Sequence, residues 1–321
     1  MKKFFTKKLI TKFLDFFFSP LVISASVVLL IYRKIGSKKM SFSSLMLKRI
    51  GVFPILDHYY EPQFKFDKNK NIYNNRYLPG IDFKIEQQLK FLKKLKFSKE
   101  LKILDLNKNS KNYKFNINNN FFTKGDAEIY YQIIRYLKPK KIIEIGSGQS
   151  TLIALEAIKK NYDNDKKTTK MICIEPYENS WLDNLKLNII RKKVENINFG
   201  KEDSTILNSG DILFVDSSHI IRPHGDVLKI YLEILPKLKS GVIIHLHDIF
   251  SPKNYLKKWL EEDVFFWNEQ YILEALLTDT NKYEVFCSVN YLKNNYYIDL
   301  KKACPYLSKL AEPGSFYIKK N

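Results

Sequence analysis

Cysteine and arginine are scarce in this chain of 321 residues. Its three cysteines show no C-x-x-C spacing, so the sequence supports neither a disulfide scaffold nor a thiolate zinc site. Only six of its 54 basic residues are arginines. Because arginine makes the bidentate contacts to phosphate and guanine, this scarcity argues against nucleic-acid binding despite a net charge of +20. The charge instead indicates a lysine-rich background composition.

Glycine and proline are also infrequent, at 11 each, which excludes collagen-like and linker-dominated chains. Hydrophobic residues make up 45% of the chain and aromatic residues 14%, which excludes an intrinsically disordered protein. The length predicts one large catalytic domain with appendages, or two modest domains.

One uncharged segment, residues 16–32, lies near the N-terminus between clusters of lysine. Its 17 residues are at the lower limit of the about 17–25 that cross a bilayer as a helix. Basic residues flank both sides, so the positive-inside rule gives no orientation. A spanning helix, a half-inserted hairpin, an interfacial anchor and a buried helix all remain open. We expect membrane contact through this segment.

The pattern of the chain divides it into three parts. Residues 1–39 resemble a basic and hydrophobic membrane anchor, residues 40–124 are irregular and are interpreted as a cap or lid, and residues 125–321 alternate between helix and strand. This alternation predicts a doubly wound, mostly parallel α/β sheet. It includes a predicted helix over Ser180–Lys192 and a predicted third strand over Val194–Phe199.

Polar residues follow the predicted strands at the sheet edge where α/β proteins bind ligands. The first strand leads into Glu144-Ile-Gly146-Ser147-Gly148, whose glycines permit close backbone approach to a ligand. Thr151 replaces the third glycine of a dinucleotide fingerprint, and a Walker loop is absent. The second strand ends at Glu175, an acid placed to accept hydrogen bonds from ribose hydroxyls.

Later strand ends carry acids and histidines. Glu202 and Asp203 follow the predicted third strand, where an adenine would lie. Asp216 ends the fourth strand with His219 three residues on, and the fifth ends in His247-Asp248; the chain has only five histidines. Convergence of several titratable groups at one edge predicts a functional site.

The ordered set Glu144–Gly148, Cys173–Glu175, Phe214–Asp216 and Gly241–Asp248 resembles class I S-adenosylmethionine-dependent methyltransferases. Gly125-Asp-Ala127 before the loop resembles more narrowly the catechol O-methyltransferase branch and the related macrolide-sugar O-methyltransferases. The resemblance implies S-adenosylmethionine as cofactor. It implies binding of that cofactor by the following residues: Glu144, Gly146, Ser147, Gly148, Glu175, Glu202 and Asp203.

The same resemblance implies a divalent metal on Asp216, His247 and Asp248, with His219 as the base. The catechol enzymes carry an aspartate where this chain has His247, and magnesium prefers oxygen ligands. An imidazole there indicates manganese, iron or zinc, or a role for His247 outside the metal's ligands. A histidine of ordinary pKa suits proton removal from a hydroxyl near neutral pH.

We therefore expect an O-methyltransferase acting on a hydroxyl of a small molecule, sugar, glycan or lipid-linked acceptor. Because S-adenosylmethionine is intracellular, the catalytic domain should lie in the cytoplasm or at the cytoplasmic face of a membrane. The alternatives are a catalytically idle membrane-tethered scaffold, a nucleic-acid methyltransferase, which the motifs disfavour, and a hydroxylase on the same scaffold.

Overall fold

The computed structural model describes residues 2–56, 60–62, 72–104, 114–177, 179–200 and 205–321, with side chains from residue 10 onward. By packing, the chain forms two units, Met1–Lys70 and Asn71–Asn321. This division does not test the expected boundaries at 39/40 and 124/125, which stay predictions.

The first unit contains two helices, α1 over Lys2–Ile35 and α2 over Ser41–Ile50. Gly36 has a φ of 106°, a left-handed conformation that glycine adopts without steric cost, and it ends α1. Within α1, Ile10–Ile35 is long and apolar enough to cross a membrane, and none of its most apolar stretch is buried. Length and composition alone also fit a signal sequence.

The second unit is built on a seven-stranded sheet with the order β3-β2-β1-β4-β5-β7-β6. Only β7 runs antiparallel to its neighbours. The strands are β1 Lys141–Ile145, β2 Lys170–Ile174, β3 Asn188–Ile190, β4 Ile212–Val215, β5 Ile243–Leu246, β6 Tyr283–Ser288 and β7 Phe316–Lys320.

Helices cover both faces of this sheet. They are α3 Ile85–Lys94, α4 Ser98–Ile103, α5 Asp126–Leu137, α6 Gln149–Asp165, α7 Asp226–Lys229, α8 Leu235–Lys237, α9 Glu269–Leu277, α10 Val289–Asn295 and α11 Tyr297–Ala303. A π-helical turn, Ile230–Ile234, joins α7 to α8, and a second one covers Lys258–Glu262.

The alternation of side chains along each strand divides the core into two layers. In β1, Ile142 packs into the layer that contains Ile129 of α5, whereas Ile143 packs into the layer that contains Leu273 of α9. Strands buried on both faces need apolar residues at nearly every position, as β1 and β4 have. The predicted doubly wound, mostly parallel α/β fold is confirmed.

The third strand lies elsewhere than predicted. Residues 180–184 form one 3-10 turn and β3 covers Asn188–Ile190, while Val194–Asn196 is another 3-10 turn. The predicted helix over 180–192 and strand over 194–199 are therefore wrong. Because β3 is a three-residue edge strand whose residues are at most half-buried, it lacks the apolar run that marks the inner strands.

Candidate active site

The strand order reverses between β1 and β4, which is where open α/β sheets bind ligands. Two cavities of about 240 and 390 Å³ open at this point. Gly146, Glu175 and Asp216 line both of them, so the two cavities meet at the ends of β1, β2 and β4.

The glycine loop occupies the floor of this cleft. Gly146 has a φ of 79°, and a Cβ at this position would lie 1.8 Å from the backbone oxygen of Asp216. Ser147 and Gly148 follow and also line the smaller cavity. Only glycine allows the first loop residue to pass this close to the end of β4.

Glu144 lies beneath the loop and does not line either cavity. Its fully buried carboxylate accepts hydrogen bonds from the hydroxyls of Ser150 at 2.6 Å and Thr151 at 2.5 Å. The Thr151 hydroxyl in turn accepts the Gly148 N–H at 3.1 Å. Glu144 therefore fixes the first turn of α6 and, through it, the glycine loop.

Glu175 stands at the end of β2, where it faces the loop. Its two carboxylate oxygens accept hydrogen bonds from the backbone N–H groups of Ser147 at 3.0 Å and Tyr177 at 3.1 Å. These two bonds hold the carboxylate in place at a position that lines both cavities.

A second group of polar side chains gathers on the β4 and β5 side. The group consists of Asp216, His219 and Asp248 and is called the Asp216 group. Each of its side chains places one possible metal-ligand atom within 4.8 Å of the others. The His219 Nε2 lies 3.2 Å from Asp216 Oδ1 and 3.5 Å from Asp248 Oδ2. Two carboxylates and one imidazole form a donor set that fits a divalent cation.

His219 is held from its other side by a segment that the sequence interpretation left unassigned. Its Nδ1 lies 2.8 Å from Oε2 of Glu269, a carboxylate that is 1% exposed. Trp267 packs against the imidazole with 4.3 Å between ring centroids. The His219 carbonyl also accepts the N–H groups of Asn268 at 2.9 Å and Glu269 at 3.1 Å.

Glu269 was missed because its partner lies 50 residues earlier in the chain. The one local signal is a glutamate within the apolar face of a predicted helix. A carboxylate on Nδ1 fixes the orientation of the ring and directs Nε2 toward Asp216 and Asp248.

Burial and charge act in opposite directions on these groups. Burial acts to lower the pKa of His219, but Asp216, Glu269 and Asp248 raise it well above its ordinary value. Burial acts to raise the pKa of Asp216, but His247 and His219 lower it. For Asp248, burial dominates and the pKa is raised. The carboxylates of Asp216, Asp248 and Glu269 surround the single His219 imidazole, and this excess of negative charge favours a bound cation.

His247 lies beside this group but is not part of it among the described residues. Its Nε2 is 3.5 Å from Oδ1 of Asp248, and its ring packs 5.1 Å from that of Phe122. Burial acts to lower the pKa of His247, but the nearby carboxylates of Asp248, Asp216 and Asp126 raise it. The imidazole thus contacts the outer oxygen of one cluster carboxylate.

Of the predicted cofactor residues, Gly146, Ser147, Gly148 and Glu175 come together in the smaller cavity. Glu202 and Asp203 lie outside the described residues. Lys193, Glu195 and Arg222, which the sequence interpretation did not select, also line the larger cavity.

Comparisons with known proteins agree with this location. The Methyltransf_24 family, described as a methyltransferase domain, matches residues 143–249, which contain the loop, Glu175 and the Asp216 group. An uncharacterized protein of Archaeoglobus fulgidus is 39% identical over 107 residues, which are 32% of this chain and 46% of that protein. The chain thus matches less than half the length of that relative.

Two solved structures show a weaker likeness at 13% identity. The plantazolicin methyltransferase BpumL in complex with SAH aligns over 61% of this chain and 82% of its own, with a TM-score of 0.38. A CmcI structure with Mg and SAM aligns over 61% of this chain and 71% of its own, with a TM-score of 0.33. Scores this low carry no conclusion about function.

The family match spans β1 to the end of β5, the part of the sheet whose strand ends build the cleft. Residues 143–249 therefore match a methyltransferase domain, which agrees with the resemblance of the sequence to class I S-adenosylmethionine-dependent methyltransferases.

Proposed function

We propose that this chain transfers the methyl group of S-adenosylmethionine to a hydroxyl of an acceptor, with His219 as the base. One observation carries the proposal: within the matched domain, the glycine loop and Glu175 line one cleft together with Asp216, whose carboxylate lies 3.2 Å from His219 Nε2. The loop side, formed by the glycine loop and Glu175, suits a nucleoside cofactor. The Asp216 side, formed by the Asp216 group, suits removal of a proton from the acceptor hydroxyl.

The residues of the loop side fit the cofactor. The bare backbone of Gly146 to Gly148 and the N-terminus of α6 offer space and N–H groups, and Glu175 offers acceptors for ribose hydroxyls. S-adenosylmethionine, when bound, supplies a methyl group already activated on a sulfonium. Glu144 would contribute by holding the loop, because its buried carboxylate lines neither cavity and binds Ser150 and Thr151.

His219 is the residue best placed to take the acceptor's proton. Its Nδ1 is committed to Glu269, so proton uptake would occur at Nε2, the nitrogen that faces Asp216 and Asp248. Because a divalent cation on Asp216 and Asp248 would offset two of the carboxylate charges that raise the pKa of His219, the imidazole would then be neutral and could take the proton without itself binding the cation. Trp267 packs on the ring and keeps it in one orientation.

Asp216 and Asp248 would hold a divalent cation. His247 would keep the Asp248 carboxylate in position through the 3.5 Å contact of its Nε2 with Oδ1. This assignment keeps the predicted metal role of the two aspartates and places His247 outside the metal's ligands. A cation at this position lowers the pKa of an acceptor hydroxyl. Titration of Mn²⁺ into the protein, followed by electron paramagnetic resonance, tests the assignment: Asp216→Asn should abolish binding, whereas His247→Gln should weaken it only partly.

The acceptor class and the location remain part of the proposal. The apolar stretch Ile10–Ile35 supports an anchor at the cytoplasmic face of a membrane, where lipid-linked sugars and other hydroxylated envelope metabolites are available. Phe121 and Phe122 line the smaller cavity and belong to the region expected to act as a cap.

Calorimetric titration of S-adenosylmethionine into the full chain tests the proposal. We expect micromolar binding that is lost in Glu175→Ala. Binding should be kept in Glu233→Ala, the control, because Glu233 is an exposed residue of the π-helical turn after α7 and lines neither cavity. Absence of binding with and without Mn²⁺ would reject the enzyme and favour the catalytically idle scaffold. Binding that survives Glu175→Ala would reject the assigned site.

A further inference from the structure

The segment after α1 carries an apolar stripe that the proposed function does not use. On α2, Phe42, Leu45 and Ile50 lie at helical positions i, i+3 and i+8 and are 74%, 47% and 72% exposed. This spacing puts the three side chains on one face of the helix. Large apolar residues exposed together on one face indicate an interaction surface.

The opposite face of α2 is fixed to the end of α1. The Ser44 hydroxyl donates to the carbonyl of Ser37 at 2.7 Å and lies 2.5 Å from the hydroxyl of Tyr32, a residue that is 3% exposed. Phe53 then packs edge-on against Tyr32. The elbow, defined as residues 32–56, is therefore folded at the end of α1 with its apolar stripe turned outward.

The charge around the elbow has one sign. Residues 16–56 contain no aspartate or glutamate. Arg33 pairs with Glu61, which leaves five basic residues of this stretch: Lys34, Lys38, Lys39, Lys48 and Arg49. A basic helix with an apolar stripe suits the interface of an anionic bilayer, where lysine stems and apolar side chains both find partners.

The adjoining helix agrees with a lipid environment. Between Ile10 and Ile31, α1 exposes apolar side chains on all its sides. Its serine hydroxyls at 19, 24 and 26 each donate to a carbonyl four residues earlier, at 2.6–2.9 Å, so they need no water. A nucleic acid would match the lysines but would leave the stripe uncovered.

We propose that the elbow binds anionic phospholipid, with the stripe of Phe42, Leu45 and Ile50 inserted at the headgroup level. This inference rests on the anchoring of α1 that is part of the proposed function. The elbow adds a preference for anionic lipids. α1 does not provide this preference across the bilayer core, because its residues 16–32 are uncharged.

A fluorophore that senses polarity, attached at Leu45→Cys, tests the proposal in the full chain. The native cysteines Cys173, Cys287 and Cys304 are buried, so labelling is confined to the introduced thiol. Lys90→Cys, at an exposed position of α3 in the second unit, is the control. Each labelled protein is reconstituted into phosphatidylcholine vesicles with and without phosphatidylglycerol.

We expect a blue-shifted emission and quenching by lipid-borne quenchers at position 45, in the vesicles that contain phosphatidylglycerol, and a water-like emission at position 90. A basic residue near an anionic surface contributes about fivefold to binding, so Lys38→Ser with Lys39→Ser should weaken insertion of the elbow by about 25-fold.

Equal emission at the two positions, or an equal shift in pure phosphatidylcholine, would overturn the proposal. So would shielding of position 45 without vesicles that increases with protein concentration, which would identify a second copy as the partner. Flotation of the vesicles in alkaline carbonate tests α1 separately: release of the chain would reject the anchor and this inference together, whereas retention with unshifted emission would reject the inference alone.

Discussion

The two sides of the cleft meet the same backbone demand with different residues. On the β1 side, Gly146 adopts a φ of 79° in contact with the end of β4. On the β4 and β5 side, His219 has a φ of 60° and Asp248 a φ of 57°. Left-handed backbone costs glycine nothing, whereas other residues lose about 1–3 kcal/mol.

This difference follows from what each side supplies. The β1 side offers backbone and space, so a residue without a side chain suffices. The β4 and β5 side offers an imidazole and carboxylates, so the side chains must be kept and the strain tolerated. Hydrogen bonds from the Asn268 and Glu269 N–H groups to the His219 carbonyl help to hold that conformation.

The largest effect is expected from a methyl group at the glycine side. Gly146→Ala would place a Cβ 1.8 Å from the Asp216 oxygen, and we expect a loss of at least about 4 kcal/mol in the free energy of unfolding. Gly210→Ala is the control, because Gly210 has a φ of 83° with nothing near its Cβ position. It should cost about 1 kcal/mol in the same denaturant titration. Equal losses would contradict the close approach.

The next effect is expected at the support of His219. Glu269→Gln should cost about 3 kcal/mol, because it removes one charge from a fully buried pair. Glu274→Gln in the same helix is the comparison, since its partner Arg76 is 27% exposed and the loss should be at most about 1 kcal/mol. Denaturant unfolding of both variants measures the difference. A smaller loss for Glu269→Gln than for Glu274→Gln would contradict the positioning role.

We expect the free energy of unfolding to depend on pH through Glu144, which lies beneath the glycine loop. Burial raises the pKa of Glu144 to about 7. An unfolded glutamate titrates near about 4.3, so the folded state holds the proton to higher pH and this group's stabilisation is lost as pH rises through 7. Glu144→Gln should therefore gain on the order of 2 kcal/mol relative to the unaltered chain between pH 5 and 8. Parallel stability curves would contradict a buried, titrating Glu144.

The smallest effect is expected from relief of strain at the β5 end. Asp248→Gly should raise the free energy of unfolding by about 1 kcal/mol in metal-free buffer while weakening Mn²⁺ binding by about tenfold or more. Val264→Gly is the control, because Val264 is 52% exposed with a φ of 54°. It should also stabilise the chain but leave Mn²⁺ affinity unchanged. A destabilised Asp248→Gly would contradict the strain at this residue.

The central strands could be predicted from the sequence because their signal is local. The pattern predicts strands over Lys141–Ile145 and Ile212–Val215, the ranges that β1 and β4 cover, because runs of isoleucine and valine buried on both faces fit few other structures. β3 could not be predicted, because an edge strand of three residues with one exposed asparagine has no such run.

The candidate site could be predicted where its residues directly follow strands of the sheet. Gly146, Glu175, Asp216, His219 and Asp248 all follow inner strands, and the topology brings them to one edge. Glu269 was not predictable, because it arrives on α9 after a loop of irregular structure and is recognised only by its 2.8 Å contact with His219.

The central claim is that the cofactor and a divalent cation occupy the two sides of one cleft. Nuclear magnetic relaxation of the sulfonium methyl protons of S-adenosylmethionine, in the presence of the full chain and Mn²⁺, tests it directly. The account predicts strong paramagnetic relaxation of that methyl group, lost in Asp216→Asn although the cofactor still binds. Binding of both ligands without enhanced relaxation would contradict the shared site.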